Sequence, residues 1–228
     1  MLASAIALAG CAKKAGSSCK GGESICVDKT TALACRGTAF VEVPCGGPAG
    51  CAKYGNHAAC DTSIATAGAP CMGEDDEYAC SADRQHAFVC KSGRLERWLE
   101  CRGKNGCAVD GHALACDMSI ASRGDPCRNA GAIACGEDGK HTVACRDGKF
   151  DVQRQCRGSG GCAYERDLLT CDDSISLPGD PCTVAGKVVC TVDGTSELMC
   201  QQGIFTKALT CKNGCKVLNR PGRPIECK

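Results

Sequence analysis

Apolar residues in this chain recur at fixed distances from cysteine and do not form long runs. Two residues before one cysteine in each of four similar segments stands Leu33, Phe88, Val143 or Leu198; five residues after it comes Phe40, Leu95, Phe150 or Phe205. Alternation puts the first apolar residue and the cysteine on one face of an extended strand. Between cysteine and second apolar residue lies a turn: Ser92-Gly93, Asp147-Gly148 and Gln202-Gly203, with Gly37 one place early in the first segment. Asp-Gly between strand-like residues is a strong hairpin signal, because both central positions take positive φ. The first segment is one residue shorter across this hairpin, so a different turn type is expected there. Helix is not expected to dominate, since the patterned runs alternate and glycines interrupt them. One apolar stretch stands apart, Met1 to Gly10, reading MLASAIALAG. It is too short to span a bilayer, which takes about 20 apolar residues.

Cysteine count turns this pattern into an architecture. The 228 residues hold 25 cysteines. Setting Cys11 aside leaves four sets of six: Cys19, Cys26, Cys35, Cys45, Cys51, Cys60; Cys71, Cys80, Cys90, Cys101, Cys107, Cys116; Cys127, Cys135, Cys145, Cys156, Cys162, Cys171; and Cys182, Cys190, Cys200, Cys211, Cys215, Cys227. Each set begins eleven positions after the previous one ends. A metal-binding reading wants close C-x-x-C pairs, and the tightest spacing here is Cys211 to Cys215. Disulfides in an oxidising compartment are therefore expected, with no metal or other cofactor. Gly50, Gly106, Gly161 and Gly214 precede each fifth cysteine, as a tight closed loop would require. That spacing predicts fourth-to-fifth bridges: Cys45–Cys51, Cys101–Cys107, Cys156–Cys162 and Cys211–Cys215. The other two bridges of each set cannot be ordered from spacing.

The predicted fold is small, disulfide-rich and mainly β: four tandem six-cysteine hairpin modules at 19–60, 71–116, 127–171 and 182–227. Asp28, Asp83, Asp138 and Asp193 lie between second and third cysteines, where Asp can fix a turn through its own backbone. The connecting segments 61–70, 117–126 and 172–181 repeat an Asp-x-Ser-Ile start, and two end in Gly-Asp-Pro with Gly68-Ala69-Pro70 the variant. Constant length and a recurring Ile predict ordered joints. A bridge over a short loop contributes roughly 2–3 kcal/mol through unfolded-chain entropy, enough for three to support a module too small for a large core.

Leu8-Ala9-Gly10-Cys11 resembles the lipobox of bacterial lipoproteins. The resemblance implies a leader over 1–10, cleavage between Gly10 and Cys11, acylation of Cys11, and a lipidated tether over 11–18. Two or three acyl chains hold a protein firmly where one does not. No Lys or Arg precedes Cys11, a departure that a start upstream would explain. Ala12 is a non-acidic residue after the lipidated cysteine, which in two-membrane bacteria implies sorting to the outer membrane. The recurring C-R-G-x-x-G-C and C-D-x-S-I-x-x-x-G-D-P-C segments, as at 101–107 and 116–127, resemble cysteine-rich repeat lipoproteins of myxobacteria and related soil bacteria. That resemblance covers 19–227 and implies no assigned activity.

Charge narrows the partners. With 27 basic and 26 acidic residues, nothing favours nucleic acid or a polybasic membrane patch. His86 and His141 hold equivalent places, matched by Thr31 and Ser196, and read as surface strand residues beside His57 and His112. No nucleophile elbow, zinc-protease or phosphate-loop motif occurs. Glu74-Asp75-Asp76-Glu77 reads as a solvated loop and Asp172-Asp173 as a turn or cap. The expectation is a non-enzymatic, lipid-anchored envelope protein serving for spacing, adhesion or interaction with a protein or polysaccharide, the membrane itself being reached through acyl chains on Cys11. The alternative is a binding or protease-inhibitor-like protein presenting Arg102, Arg157 and Lys212 on fourth-to-fifth-cysteine loops. A weaker alternative is carbohydrate binding: Trp98, Tyr54, Tyr78 and Tyr164 could stack on sugars but do not recur at one position.

Overall fold

A computed structural model describes residues 13–55, 57–72, 77–165, 168–220 and 223–228. The leader, Gly10, Cys11 and the acidic residues Glu74, Asp75 and Asp76 lie outside them. The described residues hold strands and turns without helix, so none offers a helix long and apolar enough to cross a membrane.

Each cysteine set forms a small sheet followed by a second hairpin. In the first module β1 (Ser24–Cys26), β2 (Thr31–Arg36) and β3 (Ala39–Pro44) form the sheet, and β4 (Cys51–Tyr54) pairs with β5 (His57–Cys60). The second module repeats this with β6 (Tyr78–Cys80), β7 (His86–Lys91) and β8 (Arg94–Glu100), then β9 (Cys107–Asp110) with β10 (Ala113–Cys116). In the third, β11 (Ile120–Ala121) joins β12 (Ile133–Gly136), β13 (His141–Arg146) and β14 (Lys149–Gln155), before β15 (Cys162–Glu165) and β16 (Leu168–Cys171). The fourth has β17 (Ile175–Ser176), β18 (Val188–Thr191), β19 (Ser196–Gln201) and β20 (Ile204–Thr210), then β21 (Cys215–Arg220) and β22 (Arg223–Cys227). The described residues divide into two compact units, one up to Arg97 with Ala108–Ala115, the other Trp98–Cys107 with Cys116–Lys228.

The apolar pattern builds one small core per module. Leu33, Phe88, Val143 and Leu198 are buried, as are Phe40, Leu95, Phe150 and Phe205. Phe150 lies opposite Cys145 and Phe205 opposite Cys200 across the hairpin, so each packs on a disulfide. The turns between them take the expected shape: Ser92, Asp147 and Gln202 have φ near +50°, each followed by a glycine at positive φ. In the first module only Gly37 is positive, a type II′ pattern. The residue that this module lacks is not in the turn, however. The third and fourth hairpins carry a bulge between Thr142 and Val143 and between Glu197 and Leu198; the register from Thr31–Pro44 to Arg36–Ala39 runs unbroken.

Disulfide connectivity differs from the prediction. First pairs with third (Cys19–Cys35, Cys71–Cys90, Cys127–Cys145, Cys182–Cys200). Second pairs with fifth in Cys26–Cys51, Cys135–Cys162 and Cys190–Cys215, and Cys80 and Cys107 are also disulfide-bonded. Fourth pairs with sixth: Cys45–Cys60, Cys101–Cys116, Cys156–Cys171 and Cys211–Cys227. The expected bridges Cys45–Cys51, Cys101–Cys107, Cys156–Cys162 and Cys211–Cys215 are therefore corrected. Fifth and sixth cysteines face each other across the second hairpin, as Cys51 faces Cys60 and Cys162 faces Cys171. The fifth turns to the strand that carries the second cysteine and the sixth takes the fourth, so sequence proximity misled. The preceding glycine is required for another reason: a Cβ on Gly50 would collide with the Lys29 carbonyl, and one on Gly161 with that of Gly139.

The joints are ordered, as expected. Ile64 forms a parallel bridge to Cys80, Ile120–Ala121 pairs parallel with Cys135–Gly136, and Ile175–Ser176 with Cys190–Thr191. The second and third joints thus add an edge strand to the following sheet, and the first adds a single bridge at the same edge. Its second half then crosses to the hairpin, with Gly68, Gly124 and Gly179 N–H donating to the Leu95, Phe150 and Phe205 carbonyls. The segment ahead of the first module behaves likewise. Gly16 N–H donates to Phe40 O at 2.8 Å, Ser18 bridges Ala39, and the Lys13 ammonium lies 5.0 Å from the Phe40 ring centre. From Lys13 onward the expected tether is bonded to the sheet, because it has the same backbone partners as a joint.

Candidate functional site

The loop between fourth and fifth cysteines is closed by the joint that follows it. Asp117 accepts from the N–H of Asn105 at 2.9 Å and of Ser119 at 3.0 Å, while its own carbonyl accepts from Gly103 N–H. Asp61 does the same for Ala49 and Ser63, and Asp172 for Gly160 and Ser174. Burial alone would raise these three carboxyl groups. Hydrogen bonds from the following serine and from the loop N–H outweigh it and hold each below the ordinary aspartate pKa. A Cβ on Gly47, Gly103 or Gly158 would run into this carboxylate, which explains the glycine. The turn aspartates act as read from sequence: Asp28, Asp83, Asp138 and Asp193 accept from the N–H of Thr30, Gln85, Lys140 and Thr195.

Arg102 and Arg157 are not displayed to a partner. Arg102 Nε donates to Asp125 Oδ2 at 3.0 Å, with Glu137 at 3.7 Å and Glu100 at 3.9 Å beside it. Arg157 donates to both oxygens of Asp180, Nε at 2.8 Å and Nη2 at 3.3 Å. The first contributor to the raised Arg157 pKa is this bond to Asp180; for Arg102 it is the bond to Asp125. Asp180 and Asp125 also accept from the N–H of Leu177 and Ser122 in their own turns. Each pair spans 23 residues. The first module has Gly46 and Ala69 at these two places, so where the arginine is absent the aspartate is absent too. Lys212, the fourth-module counterpart, is exposed.

Two grooves lie at successive joints, each within one compact unit. The first, about 650 Å³, is lined by Asp61, Thr62, Ser63, Tyr78, Val109 and His112 among others. The second, about 740 Å³, is lined by Asp117, Met118, Ser119, Ile133, Glu137 and Tyr164 among others. On the cysteine frame they are the same place. Tyr78 and Ile133 stand two residues before a second cysteine, and Val109 and Tyr164 two residues after a fifth. Each groove therefore has one tyrosine and one aliphatic wall, with the walls exchanged. Sequence reading missed this because it looked for one recurring position. Tyr78 is half-buried and Tyr164 is 44% exposed. Tyr54 and Trp98 line neither groove; the Arg128 guanidinium lies 4.7 Å from the Trp98 ring centre.

The remaining candidates hold local structure. His86 Nδ1 lies 2.8 Å from an Arg97 nitrogen, and His141 Nδ1 lies 2.9 Å from Asp138. The His141 ring occupies the space a Cβ on Gly136 would need. Glu77 accepts from Thr62 Oγ1 at 2.6 Å and lies near the sulfurs of Cys71 and Cys90. Those sulfurs are bonded to each other, so the trio offers no thiolate to a cation. Asp173 receives the Lys187 ammonium, a salt bridge rather than a simple turn.

Twenty-four cysteines are disulfide-bonded, three bonds to a module of some forty-five residues. Such density marks a disulfide-stabilised protein of an extracellular or cell-envelope compartment. Comparison with protein families, curated proteins and solved structures gives no match.

Proposed function

We propose that this chain is an exported, lipid-anchored and non-enzymatic envelope protein whose modules serve for spacing, adhesion or interaction with a partner. The observation that carries this reading is the division of the cysteines. Twenty-four of the 25 are bonded to one another, leaving Cys11 over at the foot of a lipobox-like sequence. Acylation of Cys11 would place the first module close to the bilayer, since the chain is bonded to that module from Lys13 onward. In a two-membrane bacterium the outer membrane is the expected destination. Two of the three residues of the inhibitor-like alternative, Arg102 and Arg157, are engaged by Asp125 and Asp180, which leaves that reading resting on the exposed Lys212.

Membrane fractionation of wild type and Cys11→Ala, with intact mass before and after reduction, tests this. Wild type should sediment with membranes and carry acyl mass on Cys11, and reduction should add 24 hydrogens. A soluble wild type, or a protein largely free of disulfides, would sink the proposal.

A further inference from the structure

The two joint grooves share features that point to one kind of ligand. Each is lined by one tyrosine and one aliphatic side chain at the two matched positions, Tyr78 with Val109 and Tyr164 with Ile133. Around the apolar walls stand hydrogen-bonding groups: Asp110, His112 and Ser63 in the first, Lys104, Glu137 and Ser119 in the second. Their volumes fall within the roughly 300–1,000 Å³ typical of small-ligand sites. Both grooves are open and mixed in character, without the deep apolar socket that anchors a peptide side chain.

Peptide binding by strand addition is also blocked. The sheet edge bordering each groove is occupied by the joint itself, through Ile64 on Cys80 and Ile120–Ala121 on Cys135–Gly136. Acidic residues outnumber basic ones in both linings, Asp61, Glu77 and Asp110 in the first and Asp117 and Glu137 against Lys104 in the second. An anionic polymer would be repelled. A sugar ring fits what remains: its C–H face can lie on tyrosine, while its hydroxyls reach the surrounding polar groups.

We propose that the grooves at the first and second joints are glycan-binding sites for a neutral or amine-bearing polysaccharide, with Tyr78 and Tyr164 as the stacking surfaces. This rests on the envelope reading above, because such a polymer is met outside the cytoplasm. The third joint supplies an internal control. Val188 and Val217 hold the two wall positions there, so it has no stacking ring and binds no sugar.

The test uses the full chain carrying Cys11→Ala, purified oxidised, so failure of acylation or export cannot affect it. Calorimetric titration employs three probes: a hexamer of β-linked glucose, a hexamer of β-linked glucosamine, and heparin. Two sites per chain are expected for at least one of the first two, and none for heparin. Tyr78→Ala and Tyr164→Ala should each weaken one site about tenfold. Tyr→Phe at either place should retain binding, and Tyr54→Ala should change nothing. Intact mass confirming full oxidation of each variant separates lost binding from lost folding. Absence of binding to both neutral and amine-bearing hexamers overturns the proposal, as does binding that the tyrosine variants leave unchanged. Tyrosine-dependent binding of a proline-rich peptide without glycan binding would also overturn it.

Discussion

Arg157 grips Asp180 through two nitrogens, Nε at 2.8 Å and Nη2 at 3.3 Å, across 23 residues of chain. The pair ties the last loop of one module to the turn that introduces the next. Charge-assisted and two-pronged, it is stronger than a single contact, but partial exposure limits it to about 1 kcal/mol. Arg157→Ala should speed amide hydrogen exchange around Leu177–Asp180 while leaving the core of the third module protected. Arg157→Lys should restore only part of the protection, since an ammonium cannot fork. Unchanged exchange in the alanine variant would show that the pair adds nothing to the joint.

The joint aspartates predict an acid-labile connection. Asp61, Asp117 and Asp172 have folded pKa values below the ordinary 3.8. A depressed folded pKa contributes stability that is complete above the unfolded value and is lost as pH falls through the folded one. The joints should therefore be insensitive to pH above about 5, where the unfolded carboxyl is also ionised, and loosen progressively in more acid solution. Amide resonances of Ser63, Ser119 and Ser174 should shift with midpoints below 3.8, and Asp193 should titrate at about 2. Midpoints at or above 3.8 would contradict the hydrogen bonds assigned here.

A glycine pair separates steric from conformational causes. Gly103→Ala would place a methyl group on the Asp117 carboxylate, whereas Gly21→Ala meets nothing. The first should destabilise by about 2 kcal/mol and the second by less than about 0.5 kcal/mol in chemical denaturation. Adding Asp117→Ala to Gly103→Ala should cost less than the two single changes summed, because the clash and the lost bond share one partner. Strict additivity would refute that coupling.

Connectivity can be checked directly. Proteolysis of the oxidised protein should release peptides joining Cys156 to Cys171 and Cys135 to Cys162, with none joining Cys156 to Cys162. Removing Cys156–Cys171 as a double alanine variant should cost about 3 kcal/mol, the loop-entropy value for a bridge spanning 15 residues.

Local features were readable from sequence because their causes are local. A positive-φ turn leaves Asp147-Gly148 in the text, a half-buried strand leaves Val143 two places before Cys145, and an Asx turn leaves Asp138. Bridge partners were not readable, since Cys45 and Cys51 are close along the chain while Cys60 reaches Cys45 only after the second hairpin turns back. The Arg–Asp link left a trace in the first module, which has Gly46 and Ala69 where the next two have arginine and aspartate, visible only when repeats are compared in pairs of positions. Tyr78 and Tyr164 seemed unrelated because their grooves are built from two walls, and each repeat put its aromatic ring on a different one.

The second and third joints each lend an Ile-bearing stretch as an edge strand to the sheet ahead, and the first makes a single bridge there, so each sheet depends on chain that precedes its first cysteine. A cut after Cys116 keeps β11 with β12, whereas a cut before Cys127 strips the third sheet of its border and bares the backbone of Cys135. The third sheet is therefore whole in 117–171, while Asp117 also closes the loop of the module before it through Gly103 and Asn105. A fragment trimmed to Cys127 would start with an open, association-prone margin.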